Sequence, residues 1–159
     1  MNAFLKRRSK DIIFALVLIG GVAVFATSGR TSATDAEYAL DREPEVIAAT
    51  FSSAWCSACK VLEPKLAKVI PGFSDKPVRF VKLNFTFGEA EGHEETAASL
   101  NFSDVYERFK GGTGFTLLID ADSGEIIDML TMEHSKDAMR AAIAQSIAVA
   151  GRADAAKAP

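Results

Sequence analysis

The chain's only two cysteines, Cys56 and Cys59, stand three positions apart, where a strand-like run gives way to a run with helical spacing. Upstream, Glu45 to Phe51 is short, apolar and β-branched at Val46, Ile47 and Thr50, the signature of a buried strand. Downstream, Val61, Leu62, Leu66, Val69 and Ile70 recur at helical spacing between Lys60 and Ile70, and Pro71-Gly72 ends the run. Pro64 lies inside it, and the missing backbone donor and ring clash predict a kink there. A disulfide-stapled fold would spread several cysteines along the chain to close long loops. A zinc site would need two further ligands, and His93 and His134 are isolated from each other. The pair therefore reads as a local redox unit.

Its placement carries chemistry. At the start of a helix, backbone N–H groups of the first turn point at Cys56, and the helix dipole favours negative charge there. Both effects stabilise thiolate, the attacking species, over thiol. With two residues between them, Cys59 lies one turn further on, within reach of the Cys56 sulfur. Cys56 is then the nucleophile and Cys59 the residue that resolves the mixed disulfide. An inert pair of buried cysteines is the competing interpretation.

The remaining pattern supplies one α/β domain. Val78 to Phe85 reads as a second strand, and Thr86 to Asn101 as a polar, acidic insertion with a helical turn or two near Glu94–Leu100. Ser103 is placed to cap a short helix through Phe109, stopped by Gly111-Gly112. Phe115 to Ile119 is a third strand, joined by the turn Asp120-Ala121-Asp122-Ser123-Gly124 to a fourth over Glu125–Leu130. Ser135 should cap a last helix carrying Met139, Ile143, Ile147 and Ala150 on one side and ending at Gly151. The order β-α-β-α-β-β-α implies a parallel first pair and a closing hairpin, a mixed sheet with helices on both faces.

The amino-terminal segment is different in kind. Lys6, Arg7, Arg8 and Lys10 precede an apolar run from Ile12 to Ala26, and the 18 residues between Asp11 and Arg30 carry no charge. That length just crosses a bilayer as a hydrophobic helix, at about 1.5 Å per residue. Basic residues before the run and Asp35, Glu37 and Asp41 after it predict a cytoplasmic short end and a body outside the cytoplasm. Residues 12–29 serve as a single-span anchor in a bacterial inner membrane, with the domain in the periplasm. Alternatively they are a cleaved signal that leaves the domain periplasmic, with Ala26-Thr27-Ser28 supplying small residues for cleavage. The expected organisation is a basic end and membrane segment over 1–29, a linker over 30–37, one domain over 38–150 and a disordered tail over 151–159. Without Lys6, Arg7, Arg8, Lys10 and Asp11, 14 basic face 20 acidic residues. An acidic body with no basic stripe excludes nucleic acid as a partner.

Trp55-Cys56-x-x-Cys59-Lys60, Pro64 five residues after the second cysteine, Lys82-Leu83-Asn84 in the second strand and Thr116-Leu117-Leu118 before a hairpin and last helix resemble the thioredoxin superfamily. The Cys-x-Ala-Cys-Lys-x-x-Glu pattern ending at Glu63 is also similar to the carboxy-terminal domain of envelope disulfide interchange reductases. The resemblance implies a thioredoxin-like fold over residues 38–150 and a thiol–disulfide oxidoreductase with no cofactor and no metal. Protein disulfides would be its substrates and a thiol its electron donor. The family's buried Asp, six residues before the first cysteine, is here Thr50, which cannot take a proton from Cys59. Glu63, four residues after Cys59 on the same helical face, is the available substitute. The family's cis-proline before the third-strand threonine is here Phe115. A cis bond before a non-proline residue costs about 2.5–4 kcal/mol, so a trans Gly114–Phe115 bond is expected. That loop aligns substrate in the family, so Gly114 and Phe115, with Trp55 shielding the pair, are the expected substrate-binding residues.

Two further readings complete the set. Lys60 either favours the thiolate or decorates the helix, and Glu89, Glu91, Glu94 and Glu95 form an acidic insertion around His93. In function, reduction of protein disulfides outside the cytoplasm leads. The alternative is a thioredoxin-like module that holds Cu(I) through Cys56 and Cys59 for envelope enzyme assembly, since thiolates suit that ion.

Overall fold

The computed structural model describes residues 43–88 and 92–157. The expected membrane segment, the linker and the acidic positions Glu89 and Glu91 lie outside them. Strand β1 (Val46–Ser52) is buried along its whole length. It pairs in parallel with β2 (Val78–Asn84) and antiparallel with β3 (Phe115–Asp120), and β3 pairs antiparallel with β4 (Ile126–Thr131). The order β2-β1-β3-β4 makes β1 central. A central strand covered on both faces needs apolar residues at every position, which is why its sequence shows a continuous run rather than alternation.

Helices cover the two faces. Val46 and Ala48 of β1 and Leu118 of β3 point to the side of α1 (Ser57–Leu66) and α4 (Lys136–Lys157), meeting Leu62, Leu66, Met139 and Ile143. Ile47, Ala49 and Phe51 point the other way, to α2 (His93–Ser99) and α3 (Ser103–Phe109), meeting Ala97, Val105 and Tyr106. Each fully buried Leu, Ile or Phe contributes about 1.5–3 kcal/mol. The α/β class, the mixed sheet and the flanking helices agree with the sequence expectation.

Several boundaries differ from it. The helix expected over Lys60–Ile70 begins at Ser57, because Cys56 caps it, and ends at Leu66, two residues past Pro64. Ile70–Phe73 is a separate 3-10 turn led by Pro71. The polar insertion holds a full helix, α2, with Glu94 and Glu95 in its first turn where the dipole favours them. Ser103 makes no cap: Phe102 stands at that position with its side chain buried, and burial of the ring fixes the entry instead. Ser135 does cap, its Oγ accepting from the N–H of Ala138 at 3.1 Å. The helix expected to stop at Gly151, before a disordered tail, continues to Lys157. A β-carbon at Gly151 would lie 3.0 Å from the Glu45 carboxylate, so this glycine permits close packing inside the helix rather than ending it.

The hairpin turn is built as its sequence suggests. Asp120 Oδ1 accepts from the N–H groups of Asp122 (3.0 Å) and Ser123 (2.8 Å) and from the Ser123 hydroxyl. Gly124 closes it at φ +72° with Asn101 so near that a β-carbon would sit 2.5 Å from its carbonyl oxygen.

Candidate active site

Parallel pairing of β1 with β2 forces the chain to leave β1 at Ser52, cross above the sheet and enter α1, and the cysteines sit at that crossing. Cys56 is the N-cap of α1, and its Sγ accepts a hydrogen bond from the backbone N–H of Cys59 at 3.1 Å. One helical turn brings Cys59 back under it, with Cα atoms 5.3 Å apart, and the two are disulfide-bonded. Cys56 is half-buried while Cys59 is 2% exposed. An incoming disulfide therefore meets the Cys56 sulfur first, and Cys59 is reached from inside the protein.

Below Cys59 opens a groove of about 420 Å³, lined among others by Ser52, Lys60, Glu63, Lys82 and Asn84. Glu63 faces it from α1. The Ser52 hydroxyl donates to its Oε1, and Lys82 Nζ donates to its Oε2 at 2.6 Å. Burial alone would push the Glu63 carboxyl up. The hydrogen bonds from Lys82 and Ser52 and the charge on Lys82 together outweigh it and hold the group below the usual carboxylate value. Glu63 is thus a carboxylate at neutral pH beside the buried cysteine.

Thr50 lies on β1 opposite Lys82 on β2 and Thr116 on β3. Its hydroxyl shares a 2.8 Å hydrogen bond with that of Thr116, and both residues are buried. This interior position is filled by a neutral, mutually satisfied pair of hydroxyls, and the carboxylate lining the groove is that of Glu63.

The loop leading to Cys56 is braced from the end of β2. Asn84 Oδ1 accepts from the N–H of Thr86 (3.0 Å) and from its hydroxyl (2.5 Å). Thr86 in turn accepts from the Ala54 N–H at its Oγ1 (2.9 Å) and from the Trp55 indole Nε1 at its carbonyl (3.2 Å). Trp55 is 77% exposed, so its ring stands outside the core. His93 Nε2 accepts from the Asn84 N–H at 3.2 Å, and its ring packs edge-on against Phe85.

The loop before β3 approaches from the other side. Gly114, at φ +100°, donates its N–H to the Phe51 carbonyl at 2.9 Å and is the residue that touches the pair. No peptide bond among the described residues is cis, so Gly114–Phe115 is trans as expected. The Phe115 ring turns into the core, stacking on Phe51 at 5.1 Å and meeting Phe109 edge-on. Of the two expected substrate-binding residues in this loop, the structure brings Gly114 to the sulfurs and commits the Phe115 ring to packing.

Ser52 and Thr86 are not singled out by the sequence, and Asn84 enters it only within the Lys82-Leu83-Asn84 run. Lys82 was noticed only as part of a resemblance, and its role as the partner of Glu63 required the β1–β2 register. Lys60 is exposed at the groove's edge, and Glu94 and Glu95 are exposed on α2. Among the described residues no three His, Cys, Asp or Glu side chains converge as metal ligands would.

The family model described as Thioredoxin matches residues 30–99. StoA from Bacillus subtilis is a similar solved structure, at 13% identity over 64% of this chain and 84% of that one, with a TM-score of 0.45. A thiol:disulfide interchange protein of the thioredoxin family from Chlorobium tepidum TLS is 15% identical over 65% and 80%, with a TM-score of 0.47. Thioredoxin f2 from Chlamydomonas reinhardtii is 21% identical over 68% and 84%, with a TM-score of 0.39. No curated protein matches the chain. A half-open sulfur at a helix mouth and a covered one beneath it lie within the stretch that the Thioredoxin family model matches, and together they support thiol–disulfide oxidoreductase activity.

Proposed function

We propose that this protein reduces disulfides of protein substrates outside the cytoplasm. The observation that carries the redox chemistry is the asymmetry of the pair, Cys56 half-buried at the helix N-cap and Cys59 2% exposed behind it. Reduced Cys56 attacks one sulfur of the substrate disulfide, breaking the S–S bond, forming a mixed disulfide and expelling the first substrate thiolate. Cys59 loses its proton and attacks Cys56 Sγ, which expels the second substrate thiolate and leaves Cys56–Cys59 oxidised. Two electrons pass to the substrate, and two thiol equivalents of an external donor return the pair to the dithiol form, the donor leaving as its disulfide.

Glu63 takes the Cys59 proton through the groove. A carboxylate held by Lys82 is in the right charge state but is a weak base, so it relays the proton to water rather than storing it. Trp55 and Gly114 flank the attacked sulfur on either side and seat the substrate backbone. Compartment and tether rest on the uncharged run over residues 12–29 behind a basic end. Among the described residues no helix is long and apolar enough to cross a membrane, and that run lies outside them.

Reduction of insulin by the domain in the presence of dithiothreitol tests the activity, with loss expected in both Cys56→Ser and Cys59→Ser. A potential near about −120 mV, that of a strong oxidant, would reverse the direction assigned here. Tight Cu(I) binding by the reduced pair without insulin reduction would favour the metal module instead.

A further inference from the structure

Two aromatic side chains stand bare beside the cysteines. Phe87 is 94% exposed and Trp55 77%, more than any other large hydrophobic side chain among the described residues. They are neighbours through Thr86, whose carbonyl accepts the Trp55 indole N–H at 3.2 Å and immediately precedes Phe87 in the chain. The turn that presents Phe87 is fixed: Gly88 N–H bonds the Phe85 carbonyl at 3.3 Å, and Thr86 is bonded to Asn84 and Ala54. A single exposed Phe on a surface calls for no explanation. Two exposed rings linked through one residue at the rim of a reactive site do, because aromatic anchors dominate protein recognition.

We propose that Phe87, together with Trp55, seats an apolar side chain that flanks the reactive cysteine of a protein disulfide substrate. This rests on the oxidoreductase reading above. The rings are continuous with the redox site: any disulfide that reaches Cys56 brings its flanking residues over Trp55, the next residue in the chain. The groove beyond is lined by no aromatic side chain and holds the charged Glu63–Lys82 pair, so it offers no ring for an apolar side chain to rest on. Trp55 adjoins Cys56 in the chain and an extended segment advances about 3.3 Å per residue, so the seated side chain is a near neighbour of the attacked cysteine in its own chain.

The test uses two disulfide-linked peptides identical except for Leu or Ser two positions from the cysteine. Wild type should prefer the Leu peptide by about tenfold in kcat/KM, the effect of one anchoring contact. In Phe87→Ser the preference should fall to about one, and Phe87→Leu should restore most of it. With 94% of Phe87 exposed, the urea midpoint of Phe87→Ser should match wild type. A wild-type preference near one, or one that Phe87→Ser leaves intact, overturns the assignment. A wild-type dimer that Phe87→Ser dissociates gives the patch to a second copy and overturns it equally. Failure to reduce either peptide sinks the oxidoreductase reading itself, a result distinct from reduction of both without preference.

Discussion

A β-carbon on Gly114 would lie 3.3 Å from the Sγ of Cys56 and 2.9 Å from the Cβ of Ala58. The loop before β3 thus presses its bare backbone onto the reactive pair, at a φ of +100° that L side chains rarely adopt. Gly114→Ala should cost about 1–3 kcal/mol of stability from overpacking and backbone strain and should slow attack by Cys56. Urea unfolding and insulin reduction measure the two effects. An alanine variant of wild-type stability and rate would mean that the loop does not hold this contact.

In the reduced protein, half-buried Cys56 should react with iodoacetamide at least about tenfold faster than covered Cys59, since access and thiolate character set the rate. Peptide mapping after short labelling pulses reads the ratio. Equal labelling would remove the distinction between attacking and resolving sulfur.

Both of these sites were legible to different depths in the sequence. Strand β1, the motif after it and the Asp120–Gly124 turn are local signals, carried by consecutive residues, and the structure reproduces them closely. The apolar periodicity alone puts the start of this helix at Lys60, three residues late, because its first turn, capped by Cys56, lies before the first periodic residue, Val61. The Glu63–Lys82 pair spans 19 positions and the Trp55–Thr86 contact 31. Contacts of that range depend on strand register, and no local pattern encodes them. Phe115 was identified by alignment with a proline, but its ring followed the hydrophobic demand of Phe51 and Phe109.

Glu63→Gln separates stability from catalysis. The Glu63 carboxyl is held below its ordinary value in the folded state. It therefore adds stability above the unfolded value of about 4.3, which is lost as pH falls through the folded one. The difference between wild type and Glu63→Gln should be about 0.5 kcal/mol near neutrality, discounted for the solvent that reaches both partners, and should vanish in acid. Turnover should fall about tenfold, short of the full effect of a dedicated base because groove water can accept the proton. A variant whose stability gap widens on acidification would contradict the sign argued here.

The threonine pair makes its own prediction. Thr50→Val leaves the Thr116 hydroxyl buried without its 2.8 Å partner and should cost about 1–3 kcal/mol. The double change Thr50→Val with Thr116→Val should cost less than the two single changes together, with a coupling of about 1 kcal/mol measured by urea unfolding. Additive losses would show that the two hydroxyls do not depend on one another.

Because Cys56 and Cys59 are separated by only three positions, the covalent link between them closes a very small ring. It restricts the unfolded chain less than a 15-residue loop would, for which the effect is about 3 kcal/mol. The architecture is instead carried by β1 and the two apolar layers on either side of it, none of which needs the link. Opening and closing the ring therefore leaves the scaffold standing, and the molecule can pass between dithiol and disulfide forms repeatedly without unfolding between turns.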